Sequence, residues 1–257
     1  MCHPTRVIHT EFWDAVNFAK GANPPPEQWK PARRHDPALV PVMQENYRRL
    51  CAYLNADKRL EIVGWGELIR RYDGQRAFAT ADEIEAIAGR IADERQVLFT
   101  DHFTAAEILL LLCRHATDAA TPPTKRYPRP TVYGPLVTPP ATAIAAVPAR
   151  AVRNAASAVL AQAARTGCLP PSVRVGDREV GIGTYFVALA EAVLGRDPVS
   201  GPADAPYPPV ADAIAGEVAA ALPQWVIHPP DMDLTVLLEQ TRLQCWALKP
   251  AWPRDAL

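Results

Sequence analysis

The residues best suited to chemistry crowd into the first seventeen positions. His3 stands in a Cys-His-Pro context, and Trp13, Asp14 and Asn17 follow within FWDAVNF. A histidine titrates near neutrality, so His3 has the chemistry of a general acid. The indole of Trp13 offers a face for stacking on a sugar, while a carboxylate and an amide bond hydroxyl groups. His3 is therefore a candidate catalytic residue, and Trp13, Asp14 and Asn17 a candidate substrate-binding cluster. A structural alternative stands beside each: His3 as a terminal residue with no partner, and Asp14 and Asn17 as caps or stitches of the following loop. Trp29, in PEQWKP, reads as a loop anchor.

Other combinations are weaker. WVIHPPDMD sets His228 near Asp231 and Asp233, but no second His or Cys lies at ligand spacing, so it reads as a Pro-stiffened turn with Asp233 as the N-cap of the last helix. Asp101 and His102 in FTDHFT read as a turn leading into a helix. Ser157, Ser172 and Ser200 lack a neighbouring His and the Gly-x-Ser-x-Gly elbow. The 13 glycines form no phosphate-binding loop. Cysteines at positions 2, 51, 113, 168 and 245 make no Cys-x-x-Cys pair and fit reduced thiols.

Composition narrows the class. The chain has 257 residues, a formal net charge of -1, 49% hydrophobic and 21% charged residues, which is the balance of a globular protein with a sizeable core. No basic patch points to nucleic acid. The longest apolar run, AAEILLLLC at 105–113, is far short of the roughly 20 residues of a membrane span. The opening residues have neither a charged n-region nor an apolar h-region, which predicts a cytoplasmic location unless a preceding segment carries a signal. Nothing in the pattern sets an oligomeric state.

The elements that must position these residues are punctuated by 27 prolines, clustered at 24–26, 121–140 and 198–209. Residues 38–54 put Val40, Met43, Tyr47, Leu50, Cys51 and Leu54 on one helical face. RLEIV at 59–63 predicts a short buried strand, and WGELIRRY at 65–72 a helix. Residues 1–75 thus read as strand, loop, helix, strand, helix, which is βα grammar. Such a piece belongs to a larger layer, because parallel strands need both faces covered.

Residues 76–257 read as three helix–extended–helix units. Thr80 with Glu83, and Thr104 with Glu107, are capping boxes. Val152, Ala155, Ala156, Val159, Leu160 and Ala163 form a stripe that ends at Gly167, a fitting C-cap. SVRVGDREV alternates about a Gly176-Asp177 turn and predicts a hairpin with Leu169, Val173, Val175 and Val180 inward. The expected fold is mainly α with short strands (α+β). It places a partial βα barrel-like segment at 1–75 and a helical repeat extension at 76–257.

Two stretches resemble known families. GCLPPSVRVGDREVGIGTYFVALAEAV, with Leu169-Pro170, the Val-x-Val-Gly hairpin and Tyr185-Phe186, resembles the pseudomurein-binding repeat of cell-wall proteins. The opening HPTRVIHTEFWDAVNFAKGANPPPEQWK, the segment EIVGWGELIRRY and the tail LQCWALKPA at 243–251 resemble the C-terminal region of polysaccharide-deacetylase-like (NodB-related) proteins, which are distorted β/α barrels. That resemblance implies metal-dependent hydrolysis of N-acetyl groups on a polysaccharide by the whole protein, with His3 beside the acetyl group. It also implies that the front of the barrel lies outside this chain. The family's Asp-Asp and His-x-x-x-His metal motifs do not occur here. A divalent metal such as zinc is therefore expected only in the full-length family, with no cofactor and no catalysis on this chain by itself. The implied role is to brace the barrel or to bind a polysaccharide such as a cell-wall glycan. Two alternatives stand: a free-standing helical module for a glycan or a protein partner, and a complete hydrolase with an unrecognised site. Exposed aromatic residues among Tyr127, Tyr133, Tyr207 and Trp225, lining one groove, would favour the glycan.

Overall fold

A computed structural model describes residues 3–72, 76–118 and 122–250 of the chain. Cys2 and Ala251, the last residue of the tail motif, lie outside the described residues. The structure is 52% helix and 10% strand, with small antiparallel sheets, so its class is mainly α with short strands. It divides into two units: Met1–Ile69 with Glu217–Leu234, and Arg70–Gly216 with Thr235–Leu257. The first unit thus takes in 217–234, which the sequence pattern groups with the repeats.

The second unit is built on α4 (Ala81–Glu94), α5 (Ala105–Thr117), α6 (Ala149–Thr166) and α7 (Ile182–Val193). Both predicted capping boxes form. The Thr104 hydroxyl accepts from the Glu107 amide at 3.1 Å and the Glu107 carboxylate accepts from the Thr104 amide at 2.8 Å; Thr80 and Glu83 do the same for α4. These bonds satisfy amides that a helix start leaves without partners. Gly167 closes α6 with φ 72, a left-handed geometry that suits glycine, whereas Arg95 closes α4 with φ 53 despite its side chain. Its guanidinium is held by the buried Glu191 carboxylate at 3.1 Å.

Helix α7 is buried on every side from Ile182 to Ala192 and apolar apart from Thr184 and the Arg95-paired Glu191, so it forms the centre of the core. Strands β1 (Phe78–Thr80) and β2 (Arg126–Pro128) pair antiparallel, as do β3 (Ile144–Val147) and β6 (Val199–Gly201). Each of these ladders ties the chain entering a helix pair to the chain leaving it: β1–α4–α5–β2, then β3–α6–α7–β6. Between α6 and α7 lies the hairpin of β4 (Ser172–Val175) and β5 (Arg178–Gly181), with Val173 opposite Val180. Gly176 takes φ 64 at its turn. Leu169, Val173, Val175 and Val180 are buried and Arg174 is exposed, as period-2 alternation requires.

Helices α8 (Val210–Ala221) and α9 (Thr235–Gln244) follow. The tail after α9 is stitched into the second unit by Trp246. That ring is fully buried, donates from Nε1 to the Pro206 carbonyl at 3.0 Å and meets Phe186 edge-on at 6.0 Å. A side chain at position 134 would collide with it: a Cβ on Gly134 would lie 2.3 Å from the Trp246 Cβ.

The first unit departs from expectation. It holds α1 (Trp13–Asn17), α2 (Leu39–Ala56) and the start of α3 (Trp65–Tyr72), and no strand is present among described residues 3–72. A 3-10 turn, Pro4–Val7, stands where the first strand was expected, and a single antiparallel bridge joins His9 to Arg34. The strand predicted at 59–63 is also absent. The Asp57 carboxylate captures the Arg59 amide at 3.0 Å, and the Asp57 carbonyl accepts from the Leu60 amide at 2.9 Å. A local side-chain turn therefore takes donors that a ladder would use, and Leu60 and Ile62 stay exposed. Helix α2 forms with the expected residues on one face, but none of them is buried.

Candidate functional site

The cluster expected around Trp13 forms a groove in the first unit. Thr5, His9, Glu11, Phe12, Trp13, Asp14, Pro31 and Ala32 line a cavity of about 530 Å³. Its framework is the short bridge between residues 8–10 and 33–35. The Thr10 amide donates to the Arg33 carbonyl at 2.9 Å and the His35 amide to the Ile8 carbonyl at 2.9 Å. The Glu11 carboxylate accepts from the Arg33 amide at 3.1 Å, which fixes one acid at the rim. Asp14 lies in the first turn of α1 and accepts from the Ala15 amide at 3.0 Å. Both carboxylates keep acceptor positions beyond these bonds.

Aromatic packing sets the wall. Trp13 meets Trp29 edge-on at 5.1 Å and Phe18 at 5.5 Å, and the Trp29 Nε1 donates to the Pro24 carbonyl at 2.9 Å. Trp29 thus anchors its loop against Trp13. Trp13 and Phe12 remain partly exposed, so ring surface faces outward beside the two acids.

Asn17 faces inward. It is the one buried residue among the described residues of this unit, at 4% exposure. Its Nδ2 donates to the carbonyls of Trp13 and Lys30, both at 2.9 Å, and its Oδ1 accepts from the Lys30 amide at 2.8 Å. Both amide donors and the amide oxygen have backbone partners, so Asn17 stitches the loop that carries Pro31 and Ala32. His3 is exposed, with its ring edge-on to Phe12 at 5.1 Å, and is not a lining residue. The structure therefore brings Trp13 and Asp14 together in the groove, while Asn17 and His3 support residues that line it.

Thr5, His9 and Glu11 are lining residues that sequence reasoning missed. They come together through the His9–Arg34 bridge, a pairing across 25 positions that no local pattern announces. Of the aromatic residues considered elsewhere, Tyr127 is buried and donates to Asp118 at 2.6 Å, and Tyr207 donates to Glu239. Among the described residues, no group of three or more His, Cys, Asp or Glu side chains is placed to hold a metal ion. No helix of the described residues is long and apolar enough to cross a membrane.

Comparison with known proteins finds no match to this chain among family models, curated proteins or solved structures.

Proposed function

We propose that this chain is a carbohydrate-binding module for a polysaccharide of the cell-wall class. The observation that carries the reading is the groove in which Phe12 and Trp13 present ring surface beside the Glu11 and Asp14 carboxylates. A concave site with aromatic walls and a few fixed polar groups is the usual form of a small-molecule site. Ring faces suit the C–H surface of a sugar, and carboxylates accept hydrogen bonds from its hydroxyl groups. The resemblance to polysaccharide-deacetylase-like proteins and to the pseudomurein-binding repeat supports the same ligand class. In this reading His3 orients Phe12, and catalysis is not assigned to the chain. The two strand–helix–helix–strand arrangements of the second unit support reading that unit as tandem repeats.

Tryptophan fluorescence with soluble oligosaccharides of N-acetylglucosamine and of glucose tests the proposal. At least one series is expected to change the emission saturably. Trp13→Ala and Asp14→Asn are each expected to weaken that binding about tenfold or more, which corresponds to roughly 1.4 kcal/mol. Absence of saturable binding to either series, or full affinity in both variants, would overturn the proposal.

A further inference from the structure

The first unit carries an apolar stripe that the described residues leave exposed. On α2, Leu39, Met43, Asn46, Leu50 and Tyr53 follow at steps of four, three, four and three, the spacing of a heptad seam. Leu39, Met43, Leu50 and Tyr53 are 50%, 37%, 44% and 61% exposed, and Val42 beside them is 53% exposed. Asn46, the midpoint of the seam, is exposed as well.

We propose that α2 is a self-association helix, pairing antiparallel with α2 of a second copy about a two-fold axis at Asn46. A two-fold interface must be self-complementary. In an antiparallel pair centred on position 46, Leu39 meets Tyr53 of the second copy, and Leu50 falls against Val42 and Met43. Asn46 meets its own equivalent. An amide carries both donors and an acceptor, so it pairs with itself, whereas a charged group there would repel its copy. A lone Asn in an apolar seam also fixes register and oligomer state. Beside the seam, Glu45 pairs with Arg48 and with Arg49, which offsets one of the two positive charges within the helix. The five apolar residues expose on the order of 500 Å² per copy, so a pair removes at most about 1,000 Å², the size of a weak, reversible contact. A dimer would present two grooves to one polymer and gain avidity without a new contact.

Sedimentation of the full chain over a wide concentration range tests this proposal independently of any ligand. A reversible dimer is expected. Asn46→Asp and Asn46→Lys should each be monomeric, and an equal mixture of the two should restore the dimer through opposite charges on the axis. Leu50→Glu, a second seam position, should also be monomeric. Position 46 and position 50 are exposed in the monomer, so circular dichroism should match the parent in every variant. A parent that stays monomeric at all concentrations, leaving the stripe to a different partner, would overturn the proposal. So would a dimer that survives both charged variants at position 46, since its interface must then lie elsewhere.

Discussion

His102 shows how burial at one residue sets a charge state. Its Nδ1 is buried without a hydrogen-bond partner. Burial first, and then the neighbouring Arg76 with a smaller push from Lys249, hold the imidazole below its ordinary pKa, while Asp101 opposes them. A folded pKa below the unfolded one gives stability that is present above the unfolded value of about 6.5 and lost as pH falls through the folded value. The melting temperature is therefore expected to drop between neutral and mildly acidic pH. In His102→Gln that part of the slope should disappear. A variant with the parent's full slope would place the proton uptake at another group. Asn17 makes the complementary point: its polar atoms are all satisfied inside the unit, so its contribution is to hold the loop of Pro31 and Ala32 against Trp13.

At the scale of elements, the β4–β5 hairpin is a clean case of pattern becoming packing. Val175 lies on the buried face and Arg174 on the exposed one. Truncating a buried side chain loses transfer energy and leaves a cavity, so Val175→Ala is expected to cost about 1–4 kcal/mol in denaturant unfolding. Arg174→Ala should change little. Equal small effects would mean that the hairpin is not part of the core. Helix α2 is the opposite case, since its amphipathic pattern forms the helix but its predicted face is only half-covered by the described residues: Val40, Cys51 and Leu54 are half-buried, while Met43, Tyr47 and Leu50 stay exposed. Helix formation needs only local bonds and periodicity, whereas burial needs a partner surface at the right distance.

For the molecule as a whole, the two units differ in what stabilises them. The second has a contiguous core running from Ala79 through α4, α5, α6 and α7 to Trp246. The first buries only Asn17 among its described residues and relies on turns, one bridge and edge-on rings. Native-state hydrogen exchange should therefore be slowest at 105–113, where amides open only with the core, and orders of magnitude faster at 59–63. Equal strong protection in both stretches would show that the first unit has a stabilising core of its own.

The sequence by itself determined the helices with strong local signals. The capping boxes at Thr80 and Thr104, the Gly167 cap and the Gly176-Asp177 hairpin are all decided within a few residues, and the structure forms each of them. Composition and periodicity likewise set the class, mainly α with short strands. In the candidate site, Trp13 and Asp14 were legible by residue type, because ring and carboxylate advertise their chemistry wherever they stand. The tertiary structure decided the rest. Residues 59–63 are apolar enough for a strand, yet a strand exists only if a partner offers a ladder, and the Asp57 turn captures those donors first. Glu11 and His9 became lining residues only when the chain returned at Arg33 and Arg34, and Asn17 turned inward only because Lys30 came back to meet it. These are contacts between residues distant along the chain, and the propensity of either partner taken singly does not specify them.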